Sequence, residues 1–456
     1  MNHPSSAPGG PSAPGQGSAA RPGRRGFLRL GLAGTAALLA GGPLAACASP
    51  AASSGPNALK VWDPFSGGDG MLMDDMVDAV SRGRDGFDID RTTLEWGPSY
   101  YTKLAMSAAG GRAPDVAICH LSRLAGYAPG GLVDPFDLDL LAEFGVTEAD
   151  FTDAVWSRVK DGDKLWAVPL DTHPFIVFYD QDLADRAGLL DTSGALAPMG
   201  SPDAVYAAGE ALAELTGGPG IVFGHVNDTA QNWRQFLGLY AQTGAEFTLP
   251  EGGTPQIDED AALRVVEFMT RLFGGSPNPG NLDYNGAMAA FMGGRAGMIM
   301  LGEWELPTLQ GSGVNLGAAP FLQVFEHPAV YADAHSFVLP HQDSPDAGRR
   351  RQAHRYVASI LKRSMTWAQA GHIPAYQPIV SDPEYARLGI QSSYAAAGEI
   401  AVFDPPNWFA GAGSNFQNRM SQPLQSALLG NTSPEGAVEQ MVRECATLLD
   451  QPDPVA

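Results

Sequence analysis

From Ala58 to Pro340, short apolar runs that read as β-strands alternate with longer stretches of helical amphipathicity. That alternation is the pattern of an α/β protein, with sheets covered by helices. The runs are Ala58–Trp62, Asp115–Cys119, Leu165–Leu170, Phe175–Tyr179, Ala296–Leu301 and Ser336–Pro340, and the chain beyond Pro340 reads as mainly helical. The chain is 456 residues long, enough for two lobes. It has no break in composition after the first 56 residues and no repeat with a period of about 20 to 50 residues.

The N-terminal segment reads differently. Residues 1–46 hold Arg21, Arg24, Arg25 and Arg29 and no acid, and no charge occurs between Leu30 and Leu59. A basic start followed by a Gly/Ala/Leu-rich stretch is a signal-peptide profile. Arg24-Arg25-Gly26-Phe27-Leu28-Arg29 resembles a twin-arginine export motif, with Gly23 before the pair and Arg29 where Lys is common. Leu44-Ala45-Ala46-Cys47 resembles a lipobox, in which Cys47 is lipidated and becomes the first residue. The alternative is one transmembrane anchor, against which stand Pro43, the glycines and the lack of a basic cluster beyond the apolar stretch. Residues 47–56 are Ala/Ser/Pro/Gly-rich and read as a flexible tether.

The net charge is −22, and every basic residue of the leader adds to the acidity of the rest of the chain. Such a surface disfavours nucleic acid and anionic polymers as partners. Beyond Cys47 only Cys119 and Cys445 remain, too few for a disulfide framework or a Cys-based zinc site. Cys119 lies in an apolar run and is expected in the core. No G-x-G-x-x-G, P-loop, G-x-S-x-G or H-E-x-x-H motif occurs. The nine histidines show no pair at i, i+3 or i+4, so no metal site and no cofactor are expected.

Polar and aromatic residues instead gather after the strand-like runs, where open α/β sheets place their ligand crevice. These groups are Asp63, Ser66 and Asp69 after the first run, His120 after Cys119, Asp171, Thr172 and His173 after Leu170, and Glu303-Trp304 after Leu301. Carboxylates, imidazoles and hydroxyls suit vicinal sugar hydroxyls, and an indole ring suits the apolar face of a sugar. Trp62 and Trp166, inside strand runs, are expected in the core. Trp304 is expected at a ligand, while Trp233 and Trp408 are open between ligand and core. Asp171 and His173 are equally open between ligand contact and local capping, Gly67-Gly68-Asp69-Gly70 alone would be a solvated turn, and His335 reads as structural.

Taken in order, several segments resemble the solute-binding lipoproteins of bacterial ABC importers, in the extracellular sugar-binding group that includes the maltose-binding protein. Leu59 to Gly70 is similar to that family's first strand and loop. Tyr101-Thr102-Lys103-Leu104 with Gly110 to Val116 is similar to its Y-x-K-L and G-x-x-P-D-[VI] stretch. Asp161 to Pro169 resembles D-G-K-x-Y-A-V-P, with one inserted residue and Trp166 for Tyr. Phe291 to Trp304 resembles F-x-x-G-K-A-A-M through G-x-W, with Arg295 and Gly297 substituted.

The resemblance implies a two-lobed, hinged periplasmic-binding-protein-like fold, each lobe a sheet flanked by helices, with a ligand cleft between the lobes. Residues 57–170 with about 334–365 would form one lobe, and 171–333 with about 366–456 the other. The implied ligand residues are Asp63, Ser66, Asp69, His120, Asp171, His173, Trp233, Glu303, Trp304 and Trp408, with Trp304 as the stacking ring. Asp171-Thr172-His173-Pro174 belongs to a subset of the group and leaves the solute open. The implied function is a monomeric, lipid-anchored receptor delivering a sugar or oligosaccharide to permease subunits on the outer face of the cell membrane. A polyol, glycerol phosphodiester, polyamine or metal chelate is the alternative ligand. A secreted glycoside hydrolase using Asp69, Asp171 or Glu303 is the alternative activity.

Overall fold

The computed structural model describes residues 57–84, 86–228, 230–275 and 278–453. The expected export motif at Arg24-Arg25, the tether and Cys47 lie outside the described residues. Among them, no helix is long and apolar enough to cross a membrane.

The first lobe begins with β1 (Leu59–Asp63), β2 (Ile89–Thr93), β3 (Val116–His120) and β4 (Val133–Asp134). A small hairpin, β5 (Lys160–Asp161) and β6 (Lys164–Leu165), precedes β7 (Val168–Pro169). The chain then enters the second lobe through β8 (Asp171–Asp180), β9 (Ile221–Val222), β10 (Met298–Gly302), β11 (Leu316–Pro320) and β12 (Val330–Asp333). It returns to the first lobe as β13 (His335–Pro340), and β14 (Ile373–Pro374) and β15 (Ala401–Val402) complete the second.

Six strands form the first sheet, in the order β2-β1-β3-β13-β4 with β7 also on β13, and seven form the second, β15-β12-β8-β10-β9 with β11 and β14 also on β8. β1 runs parallel to β2 and β3, whereas β13 comes back antiparallel to β3. Each sheet is covered by helices, and each lobe has its own apolar core. The helices begin where the sequence supplies side-chain acceptors, as Ser201 does for Ala204 N ahead of Pro202 and Asp258 does for Ala261 N.

β8 is the spine of the second sheet, and all of its residues except Asp180 are buried. The strand runs through Pro174 unbroken. Pro174 falls where pairing passes from β14, on residues 171–172, to β10, on residues 175–179, so its missing N–H costs no bond on that side.

Three segments lie side by side between the lobes. Leu170 N donates to His335 O at 2.7 Å, and Ala375 N donates to Leu170 O at 3.0 Å. The start of β8, the β12–β13 junction and the Gly371–Tyr376 segment therefore form one hydrogen-bonded hinge. Ile373 packs in the second core, while Trp367, Ala370, Ala375 and Tyr376 pack in the first.

Candidate functional site

The C-terminal ends of β3 and β10 and the turn after β1 open onto one cavity between the lobes. Its volume is about 290 Å³, at the small end for small-molecule sites. The first lobe contributes Phe65, Ser66, Asp69, Trp96 and His120, and the second contributes Asp228, Gln231, Arg234, Tyr284, Trp304 and Glu305; His173 and His335 come from the hinge. A larger hollow of about 630 Å³, lined by Ser122, Arg158, Lys160, Trp166 and Phe403, receives none of the imidazoles.

Three histidines meet at the cavity wall, with ring centroids 4.1 Å apart for His173 and His335 and 4.5 and 5.1 Å from His120 to His335 and His173. The Nδ1 atoms are engaged away from the cavity. His120 Nδ1 bonds the Tyr101 hydroxyl at 2.6 Å, and His173 and His335 bond the Asp171 carboxylate at 3.1 and 2.8 Å. Burial lowers the pKa of His173 to about 4 and pushes His120 well below the ordinary imidazole range. These two rings are neutral at physiological pH and read hydroxyls as hydrogen-bond partners rather than as cations.

Asp171 lies under that wall, fully buried. Its carboxylate also accepts from His335 N at 2.8 Å and Trp367 Nε1 at 2.7 Å. Burial favours its neutral form, but the imidazoles of His335 and His372 and the bonds from His173 and His335 prevail and hold its pKa well below the usual value. Asp69 sits at the cavity itself and caps its own loop, accepting from Gly70 N at 2.7 Å. Burial raises its pKa to about 6.

On the opposite side Arg234 presents a guanidinium, 6 % exposed, amid Trp96, Trp304, Tyr331 and Phe175, whose ring centres are 5.2 to 6.0 Å away. Among the described residues no carboxylate forms an ion pair with it, and its Nε has no acceptor. Trp304 is half-buried, and its Nε1 donates to the Tyr284 hydroxyl at 3.1 Å, which donates to Glu305 Oε1 at 2.6 Å. The cavity thus combines aromatic faces, neutral imidazoles, a carboxylate and a guanidinium that forms no ion pair.

Residues 92–354, more than half of the chain, match the family described as bacterial extracellular solute-binding protein. The chain belongs to this family. Solved structures agree on the fold. The GacH receptor of Streptomyces glaucescens, determined unliganded and with acarbose, aligns with a TM-score of 0.73 at 18% identity over 86% of this chain and 98% of its own. A maltose-bound MalE3 of T. maritima gives 0.72 at 17% identity, covering 86% and 99%. A Thermotoga lettingae ABC transporter solute-binding protein bound with α-D-tagatose gives 0.72 at 16%, also covering 86% and 99%. No curated protein sequence matches significantly.

Within this solute-binding fold the structure brings Ser66, Asp69, His120, His173 and Trp304 to the cavity, and adds His335, which the sequence suggested was structural. Asp171 and Glu303 lie behind the wall with no exposed surface. Asp63 does not face the cavity either. It pairs with Arg91 through two bonds, Nε to Oδ2 at 2.7 Å and Nη2 to Oδ1 at 2.8 Å, and so fixes the loop that carries Ser66 and Asp69. Trp233 is fully buried in the second core, where its Nε1 donates to Asp404 Oδ1 at 2.5 Å. Trp408 is half-buried against the same core and also away from the cavity. Trp62 and Trp166, expected in the core, are only partly buried: both pack against the first core, and each lies beneath a lysine, Lys103 at 5.1 Å and Lys164 at 5.2 Å. Cys119 and Cys445 are both buried and unpaired.

Arg234, Gln231, Trp96 and Tyr284 line the cavity without having stood out in the sequence. Gln231 and Arg234 are three apart on the helix Gln231–Gln242 and share the face toward the cavity, whereas Trp233 turns inward. The Gln-Asn-Trp-Arg-Gln run held the signal, but its tryptophan was the misleading letter.

Proposed function

We propose that this protein is the substrate-binding component of an ABC importer, holding a sugar or short oligosaccharide between its lobes and delivering it to a membrane permease. The observation that carries this is the combination of Trp304 with His120, His173, Asp69 and Arg234 around one small cavity. The indole face suits the axial-hydrogen face of a pyranose, and the polar groups accept from and donate to its hydroxyls. Family membership and neighbours crystallised with acarbose, maltose and tagatose support the same reading. The volume favours one or two sugar rings. Closure of the lobes requires contacts that favour the closed state, and residues from both lobes meet here.

The expected anchor fits this role. A lipid on Cys47, added after export directed by Arg24-Arg25, with residues 47–56 as tether, keeps the receptor beside its permease. Hydrolysis is disfavoured: of the three candidate carboxylates only Asp69 reaches the cavity, whereas Asp171 and Glu303 have no exposed surface from which to flank a glycosidic bond. Isothermal titration of the protein with a panel of mono-, di- and oligosaccharides tests the proposal. Saturable binding of one sugar class is expected, and no heat from any sugar in the panel would sink it.

A further inference from the structure

Behind the cavity, three imidazole Nδ1 atoms converge on one carboxylate. His335 Nδ1 is 2.8 Å from Asp171 Oδ2, His173 Nδ1 is 3.1 Å from Oδ1, and His372 Nδ1 is 3.4 Å from Oδ2. One ligating atom from each of the four residues lies within 4.8 Å of every other, and all four residues are buried. Three imidazoles and a carboxylate form a donor set suited to a borderline divalent cation in tetrahedral coordination.

The local bonding is incomplete. Both ring nitrogens of His372 and both carboxylate oxygens of Glu303 are buried without a hydrogen-bond partner, although His372 Nδ1 stands 2.9 Å from Glu303 Oε1. The two groups are close enough to bond and are not aligned to do so. Buried polar atoms of this kind ordinarily have partners, so four in one place need an explanation. His372 cannot turn away, because its ring is stacked on Trp367 at 4.2 Å with an interplanar angle of 1°. Its backbone is held as well: Gly371 has φ +107°, and a Cβ there would stand 2.2 Å from Glu303 O.

The ligands come from all three hinge segments, Asp171 and His173 from the start of β8, His335 from the start of β13 and His372 from the approach to β14. We infer that Asp171, His173, His335 and His372 bind one Zn²⁺ ion, which joins the three interlobe segments from behind the solute cavity. Glu303, with Oε1 2.9 Å from His372 Nδ1, adds a further buried carboxyl beside the four. The metal takes the lone pairs of the Nδ1 atoms, leaving the Nε2 atoms of His173 and His335 on the cavity side. The ion and a solute therefore occupy opposite edges of the same two rings, and the inference holds whatever the solute is.

The test uses the chelator-stripped full chain with Zn²⁺ alone, without sugar. Titration calorimetry is expected to give one site per chain, and the melting temperature is expected to rise with Zn²⁺. His372→Gln and His335→Gln, each verified as folded by circular dichroism, are expected to lose about 100-fold or more in Zn²⁺ affinity. X-ray absorption at the zinc edge of the wild-type protein is independent of those variants and is expected to show a shell dominated by imidazole nitrogen. No stoichiometric binding, affinity unchanged in both variants, or a shell of oxygen ligands only would each overturn the inference.

Discussion

The indole of Trp304 lies back over Gly302 so closely that a Cβ on that glycine would stand 1.9 Å from ring Cζ3. Gly302 has ordinary extended torsions, φ −79° and ψ 153°, so it is there to make room for the ring and not to turn the chain. Gly302→Ala must displace the ring that closes one wall of the cavity. We expect the affinity for the sugar identified by titration to fall about tenfold or more, roughly 1.4 kcal/mol, with a matching change in tryptophan emission. Trp304→Ala should weaken the sugar at least as much and cost little stability in the free protein. A large stability loss with intact affinity would assign the ring to the core.

Arg234 gives a contrasting prediction. Burial disfavours the charge of Arg234, but Tyr331 and the carboxylates of Asp228 and Asp333 outweigh burial and raise its pKa. Arg234→Met is expected to reduce solute affinity by about 100-fold, with a loss of stability that is small beside the loss of affinity. That contrast marks a group retained for binding. Equal loss of stability and affinity would instead make Arg234 a structural residue.

How much of this was legible in the sequence depended on the range of the interaction. The buried strands β3, β8 and β10 show as apolar runs because both faces are covered, and the loop after β1 shows by its glycines. The hinge cluster left no local trace. His173, His335 and His372 fall on segments brought together only by the pairing of β8 with β12 and β14, so no spacing rule could assemble them. The tryptophans misled for a related reason. Whether an indole in a strand or helix faces core, cavity or solvent depends on the neighbouring element, as Lys103 over Trp62 and Asp404 under Trp233 illustrate.

Asp63 is read best through Arg91. Their paired hydrogen bonds sit beneath the loop carrying Ser66 and Asp69, and Arg91 also donates to Gly70 O at 3.2 Å. Without Asp63, Arg91 keeps only the exposed Asp74 as an ion-pair partner, and the buried side of its guanidinium is left unpaired. Asp63→Ala is expected to lower unfolding free energy by about 3 to 5 kcal/mol in urea titration. Solute affinity should fall as well, since the loop loses its support although Asp63 touches no ligand. Unchanged stability would show that the pair holds nothing.

Asp404 carries the pH prediction. It is buried between the second-lobe sheet and helices, accepting from Trp233 Nε1 at 2.5 Å, Tyr331 OH at 2.9 Å and Gln417 Nε2 at 3.2 Å, with Arg234 and Asp333 as its charged neighbours. Burial outweighs these bonds and raises its pKa above 3.8. A carboxyl raised on folding binds more protons in the native state, so its contribution is fully present below the unfolded value and is lost as pH climbs through the folded one. Asp404→Asn removes that titration. The stability difference between wild type and Asp404→Asn, measured by urea unfolding from about pH 4 to about pH 7, should shift against the wild type as pH rises. A difference that is flat with pH, or that moves toward the wild type, would mean the bonds from Trp233, Tyr331 and Gln417 keep Asp404 ionised throughout.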